Sequence, residues 1–309
     1  MKPKILVICG PTASGKSDLA LSLAHILDGE IINADSMQVY RGMDIGTAKP
    51  TPEQRAEIPH HLLDIADPDQ PFSAADFAAA ADVAIADISS RGKQPIVVGG
   101  TGLYIRSLLK GLVDSPGDDG KIRETLRTEA GERGNQAMLE ELRQVDPELA
   151  ERLHPNNMVR VIRALEVFRT TGIPLSRYQR EHNFSGQRYH SLQIGVRVDR
   201  PLLYSRIDDR VSTMLEQGLL REVQQLLQAG YGPESKAMRS IGYKETAAHL
   251  AGEYSLDEAI RLIQRNTRHY AKRQLTWFNA DKDILWLEYP AEFDTILKHA
   301  IDFFEHGGT

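Results

Sequence analysis

The stretch Gly10-Pro11-Thr12-Ala13-Ser14-Gly15-Lys16-Ser17 meets every fixed position of the phosphate-loop pattern G-x-x-x-x-G-K-[ST]. Its flanks decide its meaning. Before it, Lys4-Ile5-Leu6-Val7-Ile8-Cys9 is a short β-branched apolar run; after it, Asp18-Leu19-Ala20-Leu21-Ser22-Leu23-Ala24 is helix-forming. The context is therefore strand, glycine-bearing turn, helix. Such a turn aims backbone N–H groups and a helix N-terminus at an anion, Lys16 adds a positive charge, and the Ser17 hydroxyl is a ligand for Mg²⁺. The expectation is a bound diphosphate or triphosphate on an α/β fold.

With 309 residues, 41% of them apolar, the chain can bury one large core or two smaller ones. A net charge of −6 excludes coating nucleic acid by bulk charge, so an RNA partner would need a local basic surface. The single cysteine, Cys9, falls inside the first strand, which rules out an internal disulfide and suits a reducing compartment. It reads as a small buried hydrophobe. The apolar run after Met1-Lys2-Pro3-Lys4 is too short for a signal peptide and no membrane segment is read, so the expected location is the cytoplasm.

Next, Glu30-Ile31-Ile32-Asn33-Ala34-Asp35 reads as a second strand ending in a carboxylate. In an open α/β sheet functional side chains gather beyond the carboxyl ends of strands, so Asp35 is expected to face the phosphate loop. Three roles are open to it: Mg²⁺ ligand, general base, or helix N-cap. The polar stretch 43–50 is expected to be loop near the site, with Lys49 either catalytic or solvated. His60-His61 has no carboxylate or cysteine partner at ligand spacing, which makes structural histidines the default. A helix over 73–91 is capped by Ser73 with Asp76 three residues on. The third strand breaks into Gly99-Gly100-Thr101-Gly102, where the glycines admit a ligand or merely turn the chain, and Thr101 offers a hydroxyl.

From 114 to 190 the character changes. Ser115-Pro116-Gly117-Asp118-Asp119-Gly120 reads as a linker, and helices are expected over 121–132, 136–145, 147–153 and 158–169 with no β-rich run between them. That predicts a helical insertion into an α/β core made of 1–113 and 191–309. Arg160 and Arg163 share a helix face, either solvated or ligand-facing, and Arg123 is equally ambiguous. The core resumes with a strand over 191–198 and a helix carrying Arg206 and Arg210 on one face. Later, a helix from Ser255 to about Phe278 sets Arg265, Arg268 and Lys272 beside Tyr270, Trp277 and Phe278. Cations interleaved with aromatics suit single-stranded RNA, although the aromatics serve equally as core anchors. A last strand over 283–287 and a terminal helix complete the chain.

A phosphate loop first suggests a nucleotide kinase, but no arginine-rich lid adjoins a second strand-end carboxylate. The Asn-Lys-x-Asp pattern that grips guanine is absent. The ordered segments 10–17, 35–50, 98–104, 154–166, 240–243 and 271–278 together resemble the bacterial tRNA dimethylallyltransferase family. The likeness spans nearly the whole chain, and DSMQVYRG with DIGTAKP, then VGGTGLY, are its specific parts. The resemblance implies a phosphate-loop NTPase-like core, mostly parallel, with an inserted helical domain. It also implies transfer of a dimethylallyl group from dimethylallyl diphosphate to N6 of the adenosine 3′ of the anticodon (tRNA position 37), in tRNAs reading codons that begin with U. Diphosphate leaves. Gly10 to Ser17, with Arg210 and Arg206, would hold the diphosphate, Mg²⁺ would sit on Ser17, Asp35 would accept the amine proton, and Thr101 would position the amine. Contacts to the tRNA anticodon stem-loop would fall on Asp35, Ser36, Met37, Gln38, Thr101, Arg123, Val159, Arg160, Val161, Ile162, Arg163, Ser240, Ile241, Gly242, Tyr243, Lys244, Glu245, Gln274 and Trp277. A monomer is expected. The alternative is a phosphate-loop small-molecule kinase using nucleotide.

Overall fold

Alternate residues of the first strand, β1 (Lys4–Cys9), go to opposite sides of a sheet. Ile5, Val7 and Cys9 enter one apolar cluster and Leu6 and Ile8 another, all fully buried. A strand covered on both faces must be an unbroken apolar run, which is why these five residues show no polar alternation. Burial pushes the Cys9 thiol up to about 12, so it is an inert packing group.

The computed structural model describes residues 2–113, 120–182 and 186–306. It sets β1 among β2 (Gly29–Asn33), β3 (His60–His61), β4 (Gln94–Gly99), β5 (His190–Arg197) and β6 (Ile284–Glu288) in the order β3-β2-β4-β1-β5-β6. Every pairing is parallel. Parallel neighbours need crossovers, here helices such as Lys16–Ile26 and Ala74–Ser90, the latter opened by a Ser73–Asp76 capping box. The chain leaves β1 toward β2 and leaves β4 toward β5, and the helices that follow pack on opposite faces of the sheet, which opens a crevice between the adjacent carboxyl ends of β1 and β4. That crevice is where this sheet architecture binds ligands. No helix among the described residues is long and apolar enough to cross a membrane.

Two compact units are present, Met1–Leu109 with Arg188–Thr309, and Lys110–Gln187. In the second, the helices Lys121–Arg133, Asn135–Val145, Pro147–Glu151, Met158–Thr171 and Leu175–His182 pack around Leu126, Met138, Leu142, Val161 and Leu165. Asp146, almost fully buried, accepts the N–H groups of Leu149 and Ser176 and so ties two of these helices together. Apart from Gly120, the expected linker lies outside the described residues.

Some short elements went unforeseen. The strand β3 has two residues and exists through its pairing with β2, so no pattern of its own announces it. The helix Pro52–Glu57, also absent from the sequence reading, is opened by a Thr51–Gln54 capping box with proline in the first turn.

Candidate active site

The phosphate loop leaves β1 with Gly10 at φ 142°, where a Cβ would come within 3.1 Å of the Val196 carbonyl oxygen. Gly15 at φ 92° turns the chain into the helix Lys16–Ile26. No side chain caps that helix, so its first N–H groups are left for an anion. The Ser14 hydroxyl is fully buried and has no partner among the described residues, an orphan of the kind a ligand oxygen satisfies. Lys16 Nζ donates to Pro11 O at 2.5 Å. Burial, and then the neighbouring Arg210, bring the Lys16 pKa down to about 8 against the opposing pull of Asp35. Arg210, on the helix Arg200–Gln217, donates to Thr12 Oγ1 at 3.3 Å, and burial draws its pKa down as well. Two cations disfavoured by burial, one of them also by the other's charge, are both stabilised by a multiply charged anion. Arg206 joins Arg210 in lining a cavity against residues 13–18.

Asp35 stands two residues beyond β2. Its Oδ1 accepts the Met37 N–H at 2.8 Å, and Oδ2 has no hydrogen-bond partner among the described residues. Thr101 Oγ1 accepts the Ser36 N–H at 3.0 Å, and the Thr101 N–H donates to Ala34 O at 3.2 Å. The turns after β2 and β4 are thereby stitched together, and the carboxylate is fixed beside the threonine. Tyr270 borders the same cavities as Asp35; burial first and Asp35 second raise its pKa, which keeps it a neutral donor.

Gly99 and Gly100 border the cavity over the phosphate loop, and the glycines from 99 to 102 are also crowded by the protein itself. A Cβ on Gly99 would lie 2.1 Å from Ala34 O, on Gly100 2.2 Å from Gln274 Nε2, and on Gly102 2.2 Å from the Trp277 ring. The close approach is made by the protein's own groups. Trp277 is accordingly packed against a core cluster, and Gln274 is buried.

Two cavities meet at Asp35. One of about 240 Å³ lies over Lys16 and Ser17 and is bordered by Gln38, Thr47 and Gln274. The other, about 410 Å³, is lined by Ser36, Met37, Ser240 and Ile241, with Ile207, Val211, Met214 and Ile263 as an apolar wall. Thr12, Asp35, Thr47, Arg210 and Tyr270 border both.

The surrounding polar groups mostly brace this arrangement. Lys49 is neither catalytic nor solvated: its side chain is 1% exposed, and Nζ donates to Tyr40 O, Asp44 Oδ1 and Asp64 Oδ1, each at 2.6 Å. All three ammonium donors are used. His61 Nε2 donates to the buried Glu30 at 2.7 Å, the structural role expected of it. Glu222, unremarked in the sequence, accepts the N–H groups of Asp44, Ile45 and Gly46 and the Tyr243 hydroxyl, pinning the loop that carries Thr47.

Several expected RNA contacts are internal. Tyr243 is fully buried against Glu222, and Glu245 is buried while accepting the Gly242 N–H and a bond from Asn266. Ser240, Ile241 and Lys244 stay accessible at the larger cavity. In the helical unit, Val161 and Ile162 belong to the core because the inward face of Met158–Thr171 falls on them. Val159 is 82% exposed and Arg160 is exposed beside it. Arg123 and Arg163 both grip the fully buried Glu166, Arg123 with two nitrogens. Burial alone pushes that carboxyl up, but the two guanidinium groups more than offset it and hold it below the usual range. Glu166→Ala is expected to destabilise the protein by about 3 kcal/mol, the lower end for a broken buried pair because both arginines can turn to water. The urea midpoint checks it, and an unchanged midpoint would show the cluster to be idle.

Fold and site together define an α/β phosphate-loop protein with an anion cradle facing a strand-end carboxylate. The IPP transferase family model matches residues 38–281, and the chain belongs to that family. A Pelobacter propionicus protein named tRNA dimethylallyltransferase 1 is 67% identical over 303 residues, covering 98% of each chain. The crystal structure of the tRNA isopentenylpyrophosphate transferase from Bacillus halodurans superposes with a TM-score of 0.73 at 40% identity, covering 98% of this chain and 97% of that one. A eukaryotic dimethylallyltransferase solved acting on tRNA superposes with a TM-score of 0.83 at 33% identity, covering 97% of this chain and 79% of that one.

Proposed function

We propose that this protein transfers the dimethylallyl group of dimethylallyl diphosphate to N6 of the adenosine 3′ of the anticodon in tRNAs reading codons that begin with U. The observation that carries the reading is Asp35 at the meeting of the two cavities, with the anion cradle on one side and an apolar-walled space on the other. The names of the relatives support the same reaction. Dimethylallyl diphosphate is held by the phosphate loop, Lys16 and Arg210. The adenine amine attacks the allylic carbon, the carbon–oxygen bond to diphosphate breaks, and the amine proton passes to Asp35. Thr101 and Tyr270 orient the amine. The base must leave the anticodon loop to reach this point; Val159 and Arg160 are accessible for RNA contact in the helical unit, and Ser240, Ile241 and Lys244 in the catalytic one.

Among the described residues no three His, Cys, Asp or Glu gather to cage a metal. Mg²⁺ would therefore be held by the exposed Ser17 hydroxyl with diphosphate oxygens and water, which is its usual habit. When bound it neutralises charge on the leaving group. The reading has the protein acting as a monomer in the cytoplasm.

Incubating the protein with labelled dimethylallyl diphosphate, Mg²⁺ and an anticodon stem-loop is expected to place label on the RNA and release one diphosphate per transfer. Label staying with the donor while ATP is consumed on a small molecule would sink the reading and favour a kinase.

A further inference from the structure

We propose that Gln274 is a positioning residue that fixes the anion cradle at its working distance from the Asp35–Thr101 turn, and that it makes no contact with RNA. The inference rests on the transfer reaction above. Gln274 lies on the helix Leu256–Phe278 and is 6% exposed. Its Oε1 accepts the Thr12 N–H at 2.8 Å, and its Nε2 donates to Gly100 O at 2.9 Å. Tyr270 and Gln274 both border the cavity over Lys16. The amide is thus consumed on both ends by the two loops that make the site.

Each of those bonds leads to a reacting group. Thr12 carries the Arg210 contact through its hydroxyl, so the bond to its N–H sets where the cradle's second cation stands. Gly100 precedes Thr101, whose hydroxyl holds Ser36 and thereby the Asp35 turn. Nothing else among the described side chains hydrogen-bonds the phosphate loop and the turn after β4 at once. Glycine at 100 follows from this: a Cβ there would drive into Nε2 at 2.2 Å and expel the amide. Transfer needs the allylic carbon and the amine aligned to within a fraction of an ångström, and a shift near 1 Å costs on the order of 100-fold in rate. A side chain bridging cradle and base is where such a shift would originate.

Gln274→Glu keeps the acceptor for Thr12 and sets a carboxylate against the Gly100 carbonyl; Gln274→Met keeps the volume and loses every bond. In single-turnover transfer from preformed complexes, both are expected to slow roughly 30- to 100-fold, with affinities for stem-loop and for dimethylallyl diphosphate within about threefold of wild type. Gly100→Ala should give the same loss, and Gly100→Ala with Gln274→Ala should be no slower than Gln274→Ala, because the clash is gone. Stem-loop affinity down tenfold or more at an unchanged transfer rate would make Gln274 an RNA contact and overturn the proposal. So would rates that return to normal at temperatures where the variants are fully folded. Absence of transfer by the wild-type protein is the separate failure, that of the reaction itself, and overturns both.

Discussion

Asp35→Asn is expected to lower single-turnover transfer to the stem-loop by roughly 10²- to 10⁴-fold, the range spanned by general-base groups, while dimethylallyl diphosphate still binds. The geometry favours this substitution over alanine. An asparagine Oδ1 can still accept the Met37 N–H, so the turn that Asp35 makes persists and only proton-accepting capacity is lost. The adenine amine is a weak nucleophile because its lone pair is delocalised into the ring, and the N–H bond must weaken as the new N–C bond forms. Among the groups at the junction of the two cavities, Arg210 is a cation and Tyr270 a neutral donor, and Lys16 on the cradle side is a second cation, which leaves the carboxylate to take the proton. Asp35 also sits in the field of both cations, so its removal has a second effect: it unbalances charge beside the leaving group. Equilibrium binding of dimethylallyl diphosphate separates the two, since loss of the base alone leaves that affinity unchanged and a lost charge balance does not. Near-normal transfer by Asp35→Asn would sink the base assignment.

The parts of this site that a sequence could reveal are those written in local patterns. The anion cradle follows from eight consecutive residues and their flanking strand and helix, and Asp35 from its place past an apolar run. The bracing residues were hidden because their partners lie far off along the chain. Glu222 meets Asp44 across 178 positions, and Gln274 meets Gly100 across 174. No periodicity encodes such a meeting. The glycines at 99–102 were visible as glycines, but what crowds them, Ala34, Gln274 and Trp277, emerges only once the sheet and the long helix are in place. Arg163 is a middle case. Its pairing with Glu166 at three residues' spacing was available on the helix surface rule, whereas Arg123, arriving from another helix to share the same buried carboxylate, was not. The difference runs in one direction: arginines and an amide that the family resemblance offered to RNA are partly or wholly engaged inside the fold.

Lys16→Met is expected to cut transfer by roughly 10²- to 10³-fold, because a charge aimed at the leaving group in a partly water-excluded site is worth a few kcal/mol in the transition state. The wild-type lysine carries its own pH signature. With its pKa lowered to about 8, mainly by burial and next by Arg210, it is largely protonated at pH 7 and largely neutral at pH 9. A diphosphate binds the protonated form, so affinity for dimethylallyl diphosphate should weaken by about tenfold between those values. In Lys16→Met that dependence should vanish. Folding stability moves the other way. The unfolded chain holds Lys16 protonated up to its ordinary pKa, so between about 8 and that value the unfolded state binds more protons and this residue's contribution to stability rises with pH. At pH 7 the buried ammonium is a burden on the ligand-free fold, and Lys16→Met should melt higher than wild type, with the difference closing as pH rises through that window. A residue that costs stability alone and restores it on binding an anion is selected for the anion. Calorimetric binding and thermal melts over pH 6.5 to 10, on both proteins, test the two signs together. A Lys16→Met protein that melts lower than wild type at pH 7, or that binds the diphosphate as tightly, would remove Lys16 from the cradle.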